Sequence, residues 1–307
     1  MEKEPEKNAP FRPVTLLEST RLSHRLGVTV TLASETFQHT GSFKFRAAYH
    51  LAAHVPQRRL LTASSGNFGQ ALAYSCQLLN KSCIVVMPQN SARVKVDAVR
   101  SFGAEVELID TIQISRQAKV AELARLYPEA YVASPYDDPL VIAGNASLGR
   151  ELAAQPLRWK ALLAPVGGGG LTAGLITGLR AAGDQTPVIG VEPILANDAA
   201  KSLRAGHIVA NEQESPTLAD GVRTLSIGVH NWQILKEGLA GIIEVTEEEI
   251  VAAVRLLFTM ANLKVEPTGA LGIAALLHDP DRFRNRSVCC VVSGGNVDFG
   301  VLAKILG

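Results

Sequence analysis

The sequence carries almost no net charge: 30 lysines and arginines stand against 29 aspartates and glutamates, a balance of +1 over 307 residues. Nucleic acids and anionic membranes are held by an excess of cations, so this balance points to neither as a partner. No apolar run reaches the length of a membrane span. The opening MEKEPEKNAP is charged and proline-rich with no apolar centre, so it reads as neither a secretion signal nor an anchor. Residues 1–12 read as a mobile tail. Cysteine is scarce: Cys76, Cys83, Cys289 and Cys290 show no CxxC or Cys/His spacing, which argues against a structural zinc. Cys289 and Cys290 are neighbours in an apolar stretch whose side chains alternate faces, so both are expected as buried thiols. A reducing cytoplasm fits them. Repeats and low-complexity stretches are missing too.

What is present is apolar and regularly spaced. Hydrophobic residues make up 47% of the chain, enough for a substantial core in one large domain or two smaller ones. Short runs at 28–33, 60–63, 83–87, 106–109, 131–133, 161–166, 188–191 and 288–292 predict strands. Helical periods follow at 68–79, 93–102, 114–127, 141–154 and 171–181. Val120, Leu123, Ala124 and Tyr127 keep the i, i+3, i+4, i+7 pattern of a helix face. Continuous Val/Ile/Leu runs suit parallel strands covered on both sides, so the chain is α/β. Thr246 and Glu249 form a capping box without chemistry. Pro56 and Pro135 are compatible with crossings between two lobes.

Five segments could carry chemistry. In TGSFKFRAA (40–48), Lys44 is expected about one turn into a helix between two phenylalanines. A helix N-terminus and aromatic walls disfavour an ammonium, and a lysine of lowered pKa can act as a nucleophile. A solvated surface lysine is the bland alternative. SSGNFGQ (64–70) joins a strand to a helix and could receive a carboxylate, although Ser, Asn and Gly also make an ordinary capped turn. PVGGGGL (165–171) ends a strand in four glycines and starts a helix, so consecutive N–H groups can converge on a phosphate. It has neither the Lys-Ser/Thr of a nucleotide P-loop nor a dinucleotide fingerprint. EPILAND (192–198) sets two carboxylates six residues apart, either for Mg²⁺ or Ca²⁺ or merely as a solvated loop. VVSGGN (291–296) puts Ser293 at a carboxyl edge of the sheet, where α/β proteins bind ligands.

Together these segments resemble the fold type II pyridoxal-phosphate enzymes, and most closely their serine/threonine dehydratase and serine racemase branch. The matching stretches are ETFQHTGSFKFRAA, SSGNFGQALAY, PVGGGGLTAG, GVEP, TLADGVRT, VEPTGA and VVSGGNVD, in order over roughly residues 15–300. The resemblance implies a tryptophan synthase β-like fold, two open mostly parallel sheets wrapped by helices. It further implies a large cofactor-binding domain (1–58 and 138–307), a small mobile domain (59–137) and a homodimer.

Residue by residue, the resemblance makes Lys44 the Schiff-base lysine for pyridoxal 5′-phosphate and the base at the substrate Cα. Phe43 would pack on the cofactor ring, Asn67 bond its 3′-oxygen, Gly167, Gly168, Gly169 and Gly170 hold its phosphate, and Ser293 meet its ring nitrogen. Ser64, Ser65 and Gly66 would receive the carboxylate of a small amino-acid substrate, Ser65 doubling as acid/base if the chain racemises. Glu192, the Ala196 carbonyl and Asp198 match the branch's divalent-cation site. The implied reaction is dehydration of a β-hydroxy amino acid such as L-serine or L-threonine to a 2-oxo acid and ammonia. Racemisation, or a bulkier substrate, is the alternative. Phe68 and Tyr136 depart from the pattern, which has His and a polar residue there, and GNAS (144–147) replaces GQGT. Two rings beside the substrate would favour larger β-substituents, unless Phe68 packs under the cofactor and Tyr136 faces solvent.

Overall fold

The structure, a computed structural model, describes residues 10–91 and 93–307. In chain order its strands are β1 (Thr15–Glu18), β2 (Thr29–Ser34), β3 (Arg59–Ala63), β4 (Ser82–Pro88), β5 (Glu105–Ile109), β6 (Tyr131–Val132), β7 (Ala161–Pro165), β8 (Val188–Pro193), β9 (Leu239–Val245) and β10 (Ser287–Val292). They build two sheets, ordered β1-β2-β10-β7-β8-β9 and β5-β4-β3-β6. Only β1 is antiparallel to its neighbour among the described strands; the remaining pairings are parallel. Parallel neighbours need long crossovers, and helices supply them.

The apolar runs are continuous because both faces of each sheet are covered. In β10, Val288, Cys290 and Val292 enter one core cluster while Cys289 and Val291 enter another. Alternation along the strand thus buries both cysteines on opposite sides, as the sequence predicts. The four-stranded sheet has its own two clusters, one around Phe45, Leu60, Phe68 and Met87, the other around Leu61, Ile84 and Val86.

Three expectations need correction. β1 and β9 were not among the predicted strands: both are edge strands of mostly half-buried residues, so they lack a long buried run, and Gly241 at φ 138° interrupts β9. The tail assigned to residues 1–12 ends earlier. Phe11 sets its ring edge-on to Phe45 (6.2 Å) and Tyr49 (5.8 Å), and the Arg12 carbonyl accepts from Gln38 Nε2 at 2.5 Å. Residues 1–9 of that expected tail lie outside the described residues. The third concerns Lys44, which is the first residue of the helix Lys44–His54 and does not lie a turn inside it.

The reason is a zipper between two loops. Ser42 bridges Gly294, the Phe43 N–H donates to the Ser293 carbonyl at 3.0 Å, and the Gly295 N–H donates to the Gly41 carbonyl at 2.9 Å. Those pairings keep residues 41–43 out of the helix. Gly41 takes φ +72°, and a Cβ there would stand 2.4 Å from Asn296 Oδ1. Two residues beyond Lys44, Arg46 is fully buried. It donates to both Glu35 oxygens at 2.7 and 2.8 Å and to Glu151 Oε1 at 2.6 Å. Removing one partner of such a buried pair costs about 3–5 kcal/mol, so this cluster anchors the first turn of the helix to Glu35 and Glu151.

Candidate active site

The carboxyl ends of β2, β7 and β10 bring three of the five segments together. Lys44, Phe43, Tyr136, Gly167 to Gly170 and Ser293 line one cavity. Lys44 Nζ donates to the Pro135 carbonyl at 2.6 Å and stands 5.1 Å from the Phe43 ring centre and 5.7 Å from that of Phe68. Its second aromatic wall is therefore Phe68, whereas Phe45 turns into the neighbouring core with Tyr49 and Tyr74. Burial lowers the Lys44 pKa to about 8, and the Glu266 carboxylate pulls the other way. A buried amine that loses its proton this readily can serve as a nucleophile and base.

The glycine loop is tightly packed. Gly169 takes φ +93°, a conformation disfavoured for side-chain-bearing residues, at the start of the helix Gly170–Ala181. A Cβ on Gly168 would lie 2.1 Å from Tyr136 Cδ2, and one on Gly167 2.9 Å from Val222 Cα. The half-buried Tyr136 ring thus lies against the loop. In the same cavity lining, the hydroxyls of Ser293 and Thr224 are buried without a partner. Polar atoms are rarely left so, which fits a polar ligand among them. A narrow glycine cradle at a helix start, a buried lysine and an orphaned serine are the donor set that pyridoxal 5′-phosphate requires, and the residues present fit it.

The turn after β3 approaches the same place. Ser64 Oγ is engaged in the turn, accepting from the N–H of Gly69 at 3.1 Å and of Gly66 at 3.4 Å. Ser65 and Gly66 are half-buried at its tip, and Phe68 is buried behind Lys44. Asn67 opens the helix Asn67–Leu78, and its side chain reaches across to Glu266 and Asn296. Sequence reasoning gave neither of those two residues a role. Both stood inside matching stretches, VEPTGA and SGGNVD, but only three-dimensional contact ties them to Asn67.

Glu192, Ala196 and Asp198 lie apart from this cavity's lining. Glu192 is buried and accepts from the N–H groups of Ala199 (3.2 Å) and Ala200 (2.9 Å), which begin the helix Asp198–Ala205. Asp198 Oδ1 accepts from Asn211 Nδ2 at 3.2 Å, while Oδ2 is buried with no partner. Burial raises the Asp198 pKa to about 7; burial and the Asp198 charge push Glu192 well above its usual range. No group of three or more His, Cys, Asp and Glu residues suited to a metal occurs among the described residues. Two carboxylates and a carbonyl are what the expected site contains.

The family described as "Pyridoxal-phosphate dependent enzyme" matches residues 8–294. L-threo-3-hydroxyaspartate ammonia-lyase of Saccharomyces cerevisiae is 33% identical over 295 residues, covering 95% of this chain and 90% of that protein. Serine racemase of Mus musculus is 34% identical over 293 residues, covering 92% of this chain and 86% of that protein. The crystal structure of the T.th. threonine deaminase superposes with a TM-score of 0.89 at 43% identity, covering 94% of each chain. All three likenesses run nearly the whole length, so they concern both sheets and the cavity together.

Proposed function

This chain belongs to the pyridoxal-phosphate-dependent enzymes, and from that premise we propose that it is an ammonia-lyase converting a β-hydroxy amino acid to a 2-oxo acid and ammonia. The observation that carries the reading is Lys44, a buried amine of lowered pKa that lines the same cavity as a glycine cradle. Lys44 would hold the cofactor, Phe43 would cover its ring, Gly167 to Gly170 its phosphate, and Ser293 its ring nitrogen, with Asn67 at the 3′-oxygen. Bound there, the cofactor supplies an electron sink that acidifies the hydrogen on the substrate Cα.

The chain's own residues then divide the work. N–H groups at the start of the helix Asn67–Leu78, with Ser65, would orient the substrate carboxylate. Lys44 Nζ would take the Cα proton and return one to the departing β-hydroxyl. Phe43 and Phe68 would keep water from the amine. Ser293 would meet the ring nitrogen with a hydroxyl, which, unlike a carboxylate, would not hold a proton there, and this would favour elimination over reactions that need a long-lived charge at Cα. Racemisation is the second reading, supported by the half-buried Ser65, which would return a proton on the face opposite Lys44.

Several finer features belong to the same proposal. A Mg²⁺ or Ca²⁺ ion between Glu192, the Ala196 carbonyl and Asp198 would relieve two adjacent buried carboxylates and occupy the orphaned Oδ2. A homodimer would cover Phe258, Phe299 and Val301, which are large apolar side chains left exposed. Buried free thiols suit a cytoplasmic setting, and no helix among the described residues is long and apolar enough to cross a membrane. The deciding experiment compares wild type with Lys44→Ala for 2-oxo acid release from L-serine and L-threonine. Near-total loss is expected; wild-type turnover in Lys44→Ala would overturn the assignment.

A further inference from the structure

Behind the glycine loop, outside the cavity lining, stands an asparagine that no motif pointed to. Asn231 is completely buried in the helix Val229–Gly238. Its Nδ2 donates to the Gly168 carbonyl at 2.6 Å and to the Tyr136 carbonyl at 3.0 Å. The Gly228 N–H, also at that helix start, donates to the same Gly168 oxygen at 3.0 Å. The Asn231 Oδ1 atom is buried without a partner. Turning the amide over would set Oδ1 against two carbonyl oxygens, so the loop alone dictates how this side chain is held.

The consequence follows from peptide geometry. In a planar trans peptide the carbonyl of one residue and the N–H of the next point in opposite directions. Fixing the Gly168 carbonyl on the Asn231 side therefore aims the Gly169 N–H away from Asn231, into the cavity. Gly169 at φ +93° allows the chain to turn that way, and the Gly169 carbonyl is taken by the Ala173 N–H at 2.8 Å. Holding the Tyr136 carbonyl with the same amide keeps the ring that covers Gly168 in register with the loop. Asp137 reinforces this joint by accepting from the N–H groups of Val229 and His230, each at 2.9 Å.

We propose that Asn231 is a positioning residue for the phosphate, one that turns the Gly168–Gly169 peptide so that its N–H faces the anion. The inference rests on the reading that this loop holds the cofactor phosphate. Two ligands separate the two ideas: pyridoxal 5′-phosphate and pyridoxal, which lacks the phosphate, titrated into apoprotein and followed by absorbance. If wild type binds both equally, the loop reading itself fails. If wild type prefers the phosphate ester, Asn231→Ala should weaken it roughly ten- to a hundredfold while pyridoxal changes less than about threefold. Asn231→Asp has the same shape but places oxygen against both carbonyls, and should weaken the ester further. Should Asn231→Ala not fold, Asn231→Asp carries the same comparison. As a readout independent of turnover, inorganic phosphate should raise the melting temperature of wild-type apoprotein but not of either variant. Parallel loss of both ligands, or an unchanged preference for the ester, would make Asn231 a packing residue and overturn the inference.

Discussion

Asn67 offers its side-chain Nδ2 to both carboxylate oxygens of Glu266, at 3.0 and 3.1 Å, across 199 residues of chain. Asn296 completes the contact by donating to Asn67 Oδ1 at 2.8 Å and to the Thr40 carbonyl at 2.7 Å. A residue just beyond β3 of the small sheet is thereby pinned directly to two segments of the large-sheet half, and through Asn296 to a third at Thr40. Glu266 is buried, and that burial lifts its pKa to about 7.

The pinning can be tested at Glu266. Removing an acceptor of this kind costs about 1.5–3 kcal/mol where a charge is involved. On the proposal that Asn67 bonds the 3′-oxygen, Glu266→Ala should lower kcat/KM by roughly ten- to a hundredfold and move the cofactor absorbance band, because it frees Asn67 to swing away. Glu266→Gln keeps an acceptor and should lose less. An unmoved band and full turnover in Glu266→Ala would separate Asn67 from the cofactor.

The sequence made some of this legible and hid the rest for physical reasons. Local chemistry reads well: GGGG between a strand and a helix has few other uses, and the buried strands announce themselves by continuous Val and Leu. Lys44 was readable as a candidate, but not its lowered pKa's main cause, which is burial among residues far along the chain. Contacts made by tertiary approach leave no local trace. Glu266 with Asn67, Asn231 with Gly168, and the edge strand β9 are of this type. Tyr136 shows the same limit, since nothing near it in sequence says that its ring rests on Gly168.

We propose that residues 59–137 move as a unit, and two ion pairs bear on that motion. Lys95 Nζ meets Asp220 Oδ2 at 2.9 Å, and Arg116 meets Glu214. Both tie helices of the small-sheet half to the segment carrying Gly221 and Val222, which line the cavity. Each pair is partly exposed, so each contributes up to about 1 kcal/mol and weakens in salt. The double variant Lys95→Ala, Arg116→Ala should raise amide hydrogen exchange across 59–137 several-fold. Salt at about 1 M, where screening leaves charges a reach of only a few ångströms, should do the same to wild type. Exchange confined to the mutated helices would show that the unit does not open as one.

Asp198 gives a prediction with a definite sign. Its pKa is raised from 3.8 to about 7 in the folded chain, so between those values the folded state holds a proton that the unfolded state has released. That proton stabilises the fold at low pH, and the stabilisation is lost as pH rises through 7. A divalent cation bound as proposed would compete with the same proton. Added Ca²⁺ or Mg²⁺ should raise the melting temperature more at about pH 8 than at about pH 5, and chelation should abolish the difference. In Asp198→Asn the ions should lose most of this effect. Equal stabilisation of wild type and Asp198→Asn would place any bound ion elsewhere.

The last prediction concerns substrate size. From the sequence, Phe68 and Tyr136 either enlarge the substrate pocket or, with Phe68 packed under the cofactor and Tyr136 turned to solvent, leave serine and threonine as substrates. In the fold both are occupied: Phe68 is 1% exposed and belongs to the core cluster of the small sheet, and the Tyr136 ring lies on Gly168. Phe68 offers no open apolar face to a large β-substituent, and the half-buried Tyr136 ring, which lines the cavity, already packs against Gly168. We therefore expect kcat/KM for L-serine and L-threonine to exceed that for a β-aryl serine by at least about tenfold, the scale on which a pocket discriminates by size. Phe68→His should cost stability, about 1–3 kcal/mol for trading a buried ring for a polar one, yet leave the ratio between the three substrates within about threefold of wild type. The measurement is kcat/KM for the three amino acids on both proteins, with unfolding curves alongside. A wild-type preference for the β-aryl serine that Phe68→His removes would mean that Phe68 yields to the substrate and lines its pocket after all.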